Sequence, residues 1–276
     1  MPKLSAPKTN LKPKAMKTRP NCKINLGLHV VGRRADGYHD IETIFLPVFS
    51  LCDELEITPA PASQGQPTMV QQGIELDNAP DQNLCVRAWQ LLHDEFDIPP
   101  VNILLTKHIP FGAGLGGGSA DAAFTLRMLN EMFSLGLDQA QLELRAAQLG
   151  ADCPFFVANR AAYATGIGDR LEPIDIDLSR YDICIEMPEG ETVSTREAYA
   201  NLAVDFGQPR PDLRQAVKQP IVEWKKLIVN DFEKSVFPLH PAISRLKTRL
   251  YERGARYVSM TGSGAALFAI YDKFMR

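Results

Sequence analysis

The chain has 276 residues, a net charge of -3, 45% apolar and 23% charged residues. That length holds one large core or two modest ones, the charge argues against a surface that coats nucleic acid, and no apolar run approaches the roughly 18 residues of a membrane span. Five cysteines (Cys22, Cys52, Cys85, Cys153, Cys184), an odd number without C-x-x-C spacing, read as reduced cytosolic thiols rather than a disulfide frame or zinc site.

Residues 1–18 read as a basic, disordered tail, with Lys3, Lys8, Lys12, Lys14 and Lys17 and no acid. The tail lacks the apolar stretch of a secretory signal, and Met16 is an alternative initiator. Asn21 to Val31 alternates as a strand, with Cys22, Ile24, Leu26, Leu28 and Val30 on one face and Lys23 and Asn25 on the other. A lysine so placed ordinarily faces solvent or protects an edge. Gly32 to Gly37 is a turn, carrying the Asp36-Gly37 hairpin signal. Tyr38 to Phe49 resumes as a strand broken at Pro47, and Glu54 to Thr58 follows, so an antiparallel sheet is expected. Residues 59–80 are an excursion rich in Pro, Gln and Gly, with a short strand at 68–72. Asp81 is predicted to cap a helix that runs to about Phe96.

Val101 to Ile109 is a strand by its aliphatic and β-branched content, and Ala120 to Phe133 has helical spacing. Between them lies Pro110-Phe-Gly-Ala-Gly-Leu-Gly-Gly-Gly-Ser-Ala-Asp-Ala123, with glycine at 112, 114, 116, 117 and 118. Strand, glycine loop and helix is an arrangement that binds phosphate, because glycine lets the backbone approach an anion and the helix offers unpaired N–H groups. A Walker A loop is excluded, since no lysine lies between 108 and 130. Gly112, Gly114 and Gly117 satisfy the dinucleotide pattern G-x-G-x-x-G, but a run this dense in glycine generates it easily. A dinucleotide fold also wants a strand with a terminal acid soon after the helix, whereas Gly136 and a second helical pattern follow here. A broad loop for a nucleoside triphosphate fits better, and a flexible linker would not be bracketed so closely by apolar elements.

Asp138 begins a helix that stops at Gly150, ahead of Ala151-Asp-Cys-Pro-Phe-Phe156. Tyr163 to Arg170 reads as a hairpin and Tyr181 to Met187 as a strand; residues 191–252 are mostly helical and polar, punctuated by proline. The chain closes as strand, Thr261-Gly-Ser-Gly264 and strand. Antiparallel strands first and helices later indicate an α+β protein of two lobes.

Five segments in order, Pro20-Asn-Cys-Lys-Ile-Asn-Leu26, Arg34-Ala-Asp-Gly-Tyr-His39, Pro110 to Ala123, Leu149-Gly-Ala-Asp-Cys-Pro154 and Met260-Thr-Gly-Ser-Gly264, resemble the GHMP kinase superfamily. The first, second and fourth look specifically like the branch that phosphorylates a cytidine-diphosphate-linked methylerythritol on the non-mevalonate route to isoprenoids. The resemblance runs over nearly the whole chain from about residue 20. It implies a two-lobed GHMP kinase fold: a ribosomal-S5-domain-2-like, ATP-binding lobe over 19–160 and a ferredoxin-like lobe over 161–276. It implies ATP as phosphoryl donor, with Mg2+, and transfer to the 2-hydroxyl of the methylerythritol moiety. The alternatives are a mevalonate- or homoserine-type sister kinase and, further off, a dinucleotide-binding oxidoreductase. The expected partner is the small-molecule substrate, with neither nucleic acid nor membrane; a homodimer is compatible with the sequence and not established by it.

Phosphoryl transfer asks for positioning and charge stabilisation, with a base or orienting group at the attacking hydroxyl. The resemblance assigns that role to Asp152 and places Lys23 beside it; on its own, an aspartate before Cys153-Pro154 reads as a helix cap. Pro110, Phe111, Gly112, Ala113, Gly114, Leu115, Gly116, Gly117, Gly118, Ser119 and Ala120 are expected to wrap the triphosphate. Ser119 is assigned a phosphate or Mg2+ contact, or a helix cap. Related kinases commonly carry a second serine where this chain has Ala120. Asn83 is expected near the adenine or ribose. For the cytidine end the resemblance offers Tyr38 and His39, with Tyr199 stacking from the other side and Thr195 nearby. Asn25 and Phe45 are expected to line the same pocket, and Gly262, Ser263 and Gly264 to close the site near the substrate phosphates.

Overall fold

A computed structural model describes residues 13–74, 82–202 and 209–273. In chain order its strands are β1 (Met16–Thr18), β2 (Asn21–Arg33), β3 (His39–Cys52), β4 (Glu54–Pro59), β5 (Thr68–Gly73) and β6 (Val101–Lys107), with α1 (Leu84–Phe96) before β6. Then come α2 (Gly117–Met132), α3 (Gln139–Ala146), α4 (Cys153–Ala158), β7 (Ala162–Thr165), β8 (Arg170–Pro173) and β9 (Tyr181–Glu186). The remainder is α5 (Thr195–Ala200), α6 (Leu213–Ala216), α7 (Ile221–Leu227), α8 (Phe232–Leu239), α9 (Pro241–Glu252), β10 (Tyr257–Met260) and β11 (Leu267–Asp272).

The chain forms two compact units, and they do not follow the single cut at 160/161 expected from the sequence. One comprises residues 1–22, 51–110 and 116–159; the other comprises 23–50, 111–115 and 160–276. Hydrogen bonding explains the exchange. β2 and β3 join β7 and β8 in one four-stranded sheet, so the N-terminal hairpin groups with the C-terminal half.

In the first unit the sheet order is β1-β4-β6-β5, antiparallel except for the β5–β6 pair. β1 corrects the expectation of a disordered tail through residue 18: Met16, Lys17 and Thr18 pair with Ile57, Glu56 and Leu55. Strict alternation turns Val101, Ile103, Leu105 and Lys107 of β6 inward. α2 is alanine-rich and buried on most of its faces, which lets α1, α3 and α4 pack against it. The expected cap Asp81 lies outside the described residues; Asn83 caps α1, its side chain accepting from the Cys85 N–H at 2.9 Å. Asp138 and Gln141 form a capping box on α3.

The second unit holds the β2-β3-β7-β8 sheet and a three-stranded antiparallel sheet, β10-β11-β9. The latter packs with α5, α8 and α9 around Val236, Ile243, Leu250, Val258 and Leu267. β3 runs unbroken through Pro47, which corrects the expected interruption. β2 is buried from Asn21 to Val30 on both faces, so alternation along it does not separate core from solvent.

Candidate active site

In the second unit the site is built around β2. Lys23 is 4% exposed, which excludes the surface reading of a strand lysine. A buried ammonium needs compensation. Its Nζ donates to Asn25 Oδ1 at 2.8 Å and lies 4.7 Å above the Phe45 ring centroid. The Lys23 N–H donates to the Leu115 carbonyl at 3.0 Å, so the strand holds the glycine loop directly.

Asn25 is placed differently from the expected pocket lining. Its Oδ1 accepts from Lys23 Nζ, from the Gly262 N–H at 3.0 Å and lies 3.1 Å from Thr261 Oγ1. Its Nδ2 donates to Thr43 Oγ1 at 3.0 Å, and Thr43 Oγ1 in turn donates to the Gly27 carbonyl at 2.5 Å. At 1% exposure the amide is held by protein through both its oxygen and its nitrogen. Phe45 is likewise buried and serves as the floor beneath Lys23.

Gly262, Ser263 and Gly264 form the turn after β10, next to Gly114 of the loop. A Cβ added to Gly262 would lie 2.9 Å from Gly114 Cα, and one added to Gly114 would overlap the Thr261 carbonyl oxygen. Ser263 Oγ is 3.1 Å from Thr195 Oγ1, which ties the turn to the first residue of α5. Ser194 caps α5 through the Glu197 N–H, and Ser235 Oγ donates to the Ala198 carbonyl. On the same helix, Tyr199 stacks on His39 with ring centroids 4.5 Å apart and an interplanar angle of 17°, and meets Phe232 edge-on. Burial, aided by Arg33, lowers the His39 pKa, so the stacked imidazole is neutral at pH 7. Tyr38 is 62% exposed. Thus Tyr199 and His39 are brought together and Tyr38 stands apart in solvent.

In the first unit the site is the start of α2. Gly116, the residue before the helix, has φ 71°, and no acidic side chain lies in the first turn. The leading N–H groups of a helix lack intrahelical partners and favour an anion there. Ala120 closes the first intrahelical bond, its N–H donating to the Gly116 carbonyl at 2.9 Å. Its methyl group is fully buried, so this position lies within packed protein. Ser119 hydrogen-bonds the Cys153 thiol, which burial raises to a pKa of about 11. This contact joins the first turn of α2 to the segment carrying Asp152. Asp152 sits at the start of α4 but makes no side-chain capping bond, so the helix-cap reading is set aside.

Sequence reasoning missed the group beneath this helix. Lys107 Nζ, 3% exposed, contacts Asp53 Oδ2 and donates to Asp121 Oδ2 at 2.7 Å. Asp53 Oδ1 accepts the N–H groups of His108 and Ile109, the last residues before the loop. A Cβ added to Gly117 would lie 2.8 Å from Ile109 Cγ2 and 3.3 Å from Lys107 Nζ. Gly117 is therefore needed for packing. The inward alternation of β6 was the available signal for Lys107.

After α2 the chain continues into α3 and α4 rather than a strand, contrary to a dinucleotide fold. The family model for the GHMP kinases N terminal domain matches residues 83–160, and that for GHMP kinases C terminal matches 212–275. A 4-diphosphocytidyl-2-C-methyl-D-erythritol kinase from Bacteroides thetaiotaomicron is 48% identical over 93% of this chain and 92% of its own length. A crystal structure of 4-(cytidine 5'-diphospho)-2C-methyl-D-erythritol kinase superposes with a TM-score of 0.78 at 34% identity, covering 92% of this chain and 89% of that one. The mevalonate kinase of Methanococcus jannaschii shares the fold, with a TM-score of 0.69 at 13% identity, covering 95% of this chain and 92% of that one. The chain belongs to the GHMP kinases, in the family of 4-diphosphocytidyl-2-C-methyl-D-erythritol kinases.

Proposed function

We propose that this chain transfers the terminal phosphoryl group of ATP to the 2-hydroxyl of 4-diphosphocytidyl-2-C-methyl-D-erythritol, with Lys23 and Asp152 serving the reacting hydroxyl. The observation that carries this reading is the burial of Lys23 on β2, held by Asn25 and Phe45, within a chain that belongs to this kinase family. Asp152 accepts the hydroxyl proton or orients the hydroxyl, and the Lys23 ammonium stabilises negative charge beside it. The α2 N-terminus and the glycine backbone hold the triphosphate. Tyr38, His39, Thr195 and Tyr199 bind the cytidine end, and Asn25 acts on the reaction through Lys23.

Among the described residues no three His, Cys, Asp or Glu side chains converge as a metal cage. A Mg2+ carried by ATP phosphates and water needs only one or two protein oxygens, and Ser119, in the first turn of α2, could supply one. Such an ion would neutralise charge on the β- and γ-phosphates. Five cysteines without C-x-x-C spacing suit a reducing compartment, and we place the chain in the cytoplasm on that ground. No helix among the described residues is long and apolar enough to cross a membrane.

The test is ADP release with ATP and each candidate acceptor. Release dependent on the cytidyl methylerythritol substrate is expected. Turnover with mevalonate or homoserine in its place would move the protein to a sister activity.

A further inference from the structure

Resting on the reading of Lys23 and the glycine loop given above, we propose that Thr261 is a positioning residue whose hydroxyl couples the loop backbone at Gly114 to the Lys23 ammonium.

Thr261 is fully buried immediately after β10. Its main chain is locked on both sides: its N–H donates to the Ala266 carbonyl, and its carbonyl accepts from the Gly264 N–H, each at 3.0 Å. The side chain therefore has a fixed origin. Its Oγ1 accepts the Asn25 N–H at 3.1 Å. Two acceptors lie within reach of its single proton: Asn25 Oδ1 at 3.1 Å and the Gly114 carbonyl at 3.2 Å. A hydroxyl donates one hydrogen bond at a time in good geometry.

These two choices differ in consequence. When the proton points to Gly114, the loop carbonyl is tethered, and Asn25 Oδ1 is left to Lys23 Nζ and the Gly262 N–H. When it points to Asn25, that oxygen has a third donor competing with Lys23, and the loop loses its side-chain tether. The loop cannot move further into the turn to compensate, because the Gly114 and Gly262 backbones are already closely apposed. Phosphate binding that orders the loop favours the first arrangement and strengthens the hold of Asn25 on Lys23. Coupling of this kind is reciprocal, so the state of Lys23 changes nucleotide affinity by the same factor.

The experiment measures ATP affinity by calorimetry and turnover for wild type, Thr261→Val, Thr261→Ser, Lys23→Met and the Thr261→Val/Lys23→Met double variant. Loss of one buried hydrogen bond predicts ATP binding weakened about five- to tenfold in Thr261→Val, with serine restoring it to within about twofold. The valine effect shrinks to less than about half its logarithmic size in the Lys23→Met background, since neighbours in one network are not additive. Should valine fail to fold, Thr261→Ala is measured in the same way. Wild-type affinity in the valine or alanine variant, or effects that add with Lys23→Met, would overturn the proposal. A wild-type protein that binds ATP but does not phosphorylate the cytidyl substrate overturns the functional reading instead and leaves the affinity comparison standing.

Discussion

Lys107 Nζ donates to Asp121 Oδ2 at 2.7 Å, with both side chains 3% exposed, directly beneath the helix that begins at the glycine loop. Asp53 completes the group and accepts from the two backbone N–H groups that lead into the loop. The end of β6 and the second turn of α2 are thereby clamped by charge in an apolar interior. Breaking one partner of such a group leaves an uncompensated buried charge, so Lys107→Met is expected to cost roughly 3–5 kcal/mol of stability, read by denaturant unfolding.

The same group makes stability depend on pH. Burial is the largest influence on Asp121 and raises its pKa from 3.8 to about 7, even with Lys107 opposing it. Burial pulls Lys107 down, but the two carboxylates more than offset it, and the lysine stays protonated at neutral pH. Because the folded form of Asp121 holds its proton above the unfolded value, stability from this residue is greatest in acid. It is lost as pH rises from about 4 to about 7. Asp121→Asn removes that titration. The melting temperature of the variant minus that of wild type is expected to rise across pH 4–7 and level off above it; a difference independent of pH would refute the assignment.

Two glycines of the loop separate conformational need from close approach. Gly112 and Gly114 both have positive φ, 68° and 75°. A Cβ at Gly112 meets nothing within 4 Å, whereas one at Gly114 would overlap the Thr261 carbonyl. Gly112→Ala should therefore cost about 1–2 kcal/mol of backbone strain and leave a working enzyme. Gly114→Ala should displace the 260–264 turn and cost well over tenfold in kcat/KM. Comparable kinetics in the two variants would contradict this packing.

Ala120 decides whether the loop needs a second hydroxyl. Its methyl is fully buried in the first turn of α2, and its N–H already bonds the Gly116 carbonyl. A serine there would turn its hydroxyl back onto that carbonyl, which costs little. Ala120→Ser is expected to shift stability by less than about 1 kcal/mol and leave the KM for ATP unchanged. A marked fall in KM would show that this chain lacks a useful phosphate contact.

Most of the strands, the loop and the long helices were legible because periodicity and glycine placement are local signals. What escaped reading depends on partners far along the chain. The alternation of Asn21 to Val30 suggested a wet face for Lys23 and Asn25, yet both faces are buried. Lys107 stood at the inward end of a correctly read strand, but only Asp53 and Asp121, 54 and 14 residues away, explain how its charge is tolerated. Thr261 sat inside a recognised motif whose glycines drew attention from its hydroxyl, and its partner Asn25 is 236 residues away. Asp152 could be read as a cap until the geometry of α4 showed that its side chain does not cap.

With Tyr199 and His39 proposed to bind the cytidine end, removing their stack is expected to act on that substrate alone. The Tyr199 ring holds a neutral imidazole by face and meets Phe232 by edge. Aromatic pairs of this kind contribute about 0.5–1.5 kcal/mol beyond area burial. Tyr199→Leu keeps apolar volume but removes the stack. It should raise KM for the cytidyl substrate several-fold while ATP affinity stays at the wild-type value; an equal loss for both ligands would argue for general disruption of α5.

Asp152→Asn tests the proposed reacting centre without removing a cap from α4. The side chain is half-buried and makes no capping bond to α4, so loss of a helix cap is not among the costs of the change. Asparagine keeps the shape and can still orient a hydroxyl, but it cannot accept a proton as a carboxylate does. Nucleotide affinity is expected to remain near wild type, while turnover falls at least a hundredfold if the carboxylate takes the proton, the usual scale of general-base catalysis. A fall of only a few-fold, with unchanged pH dependence of kcat, would assign Asp152 to orienting the hydroxyl. Unimpaired turnover would remove it from the reaction altogether.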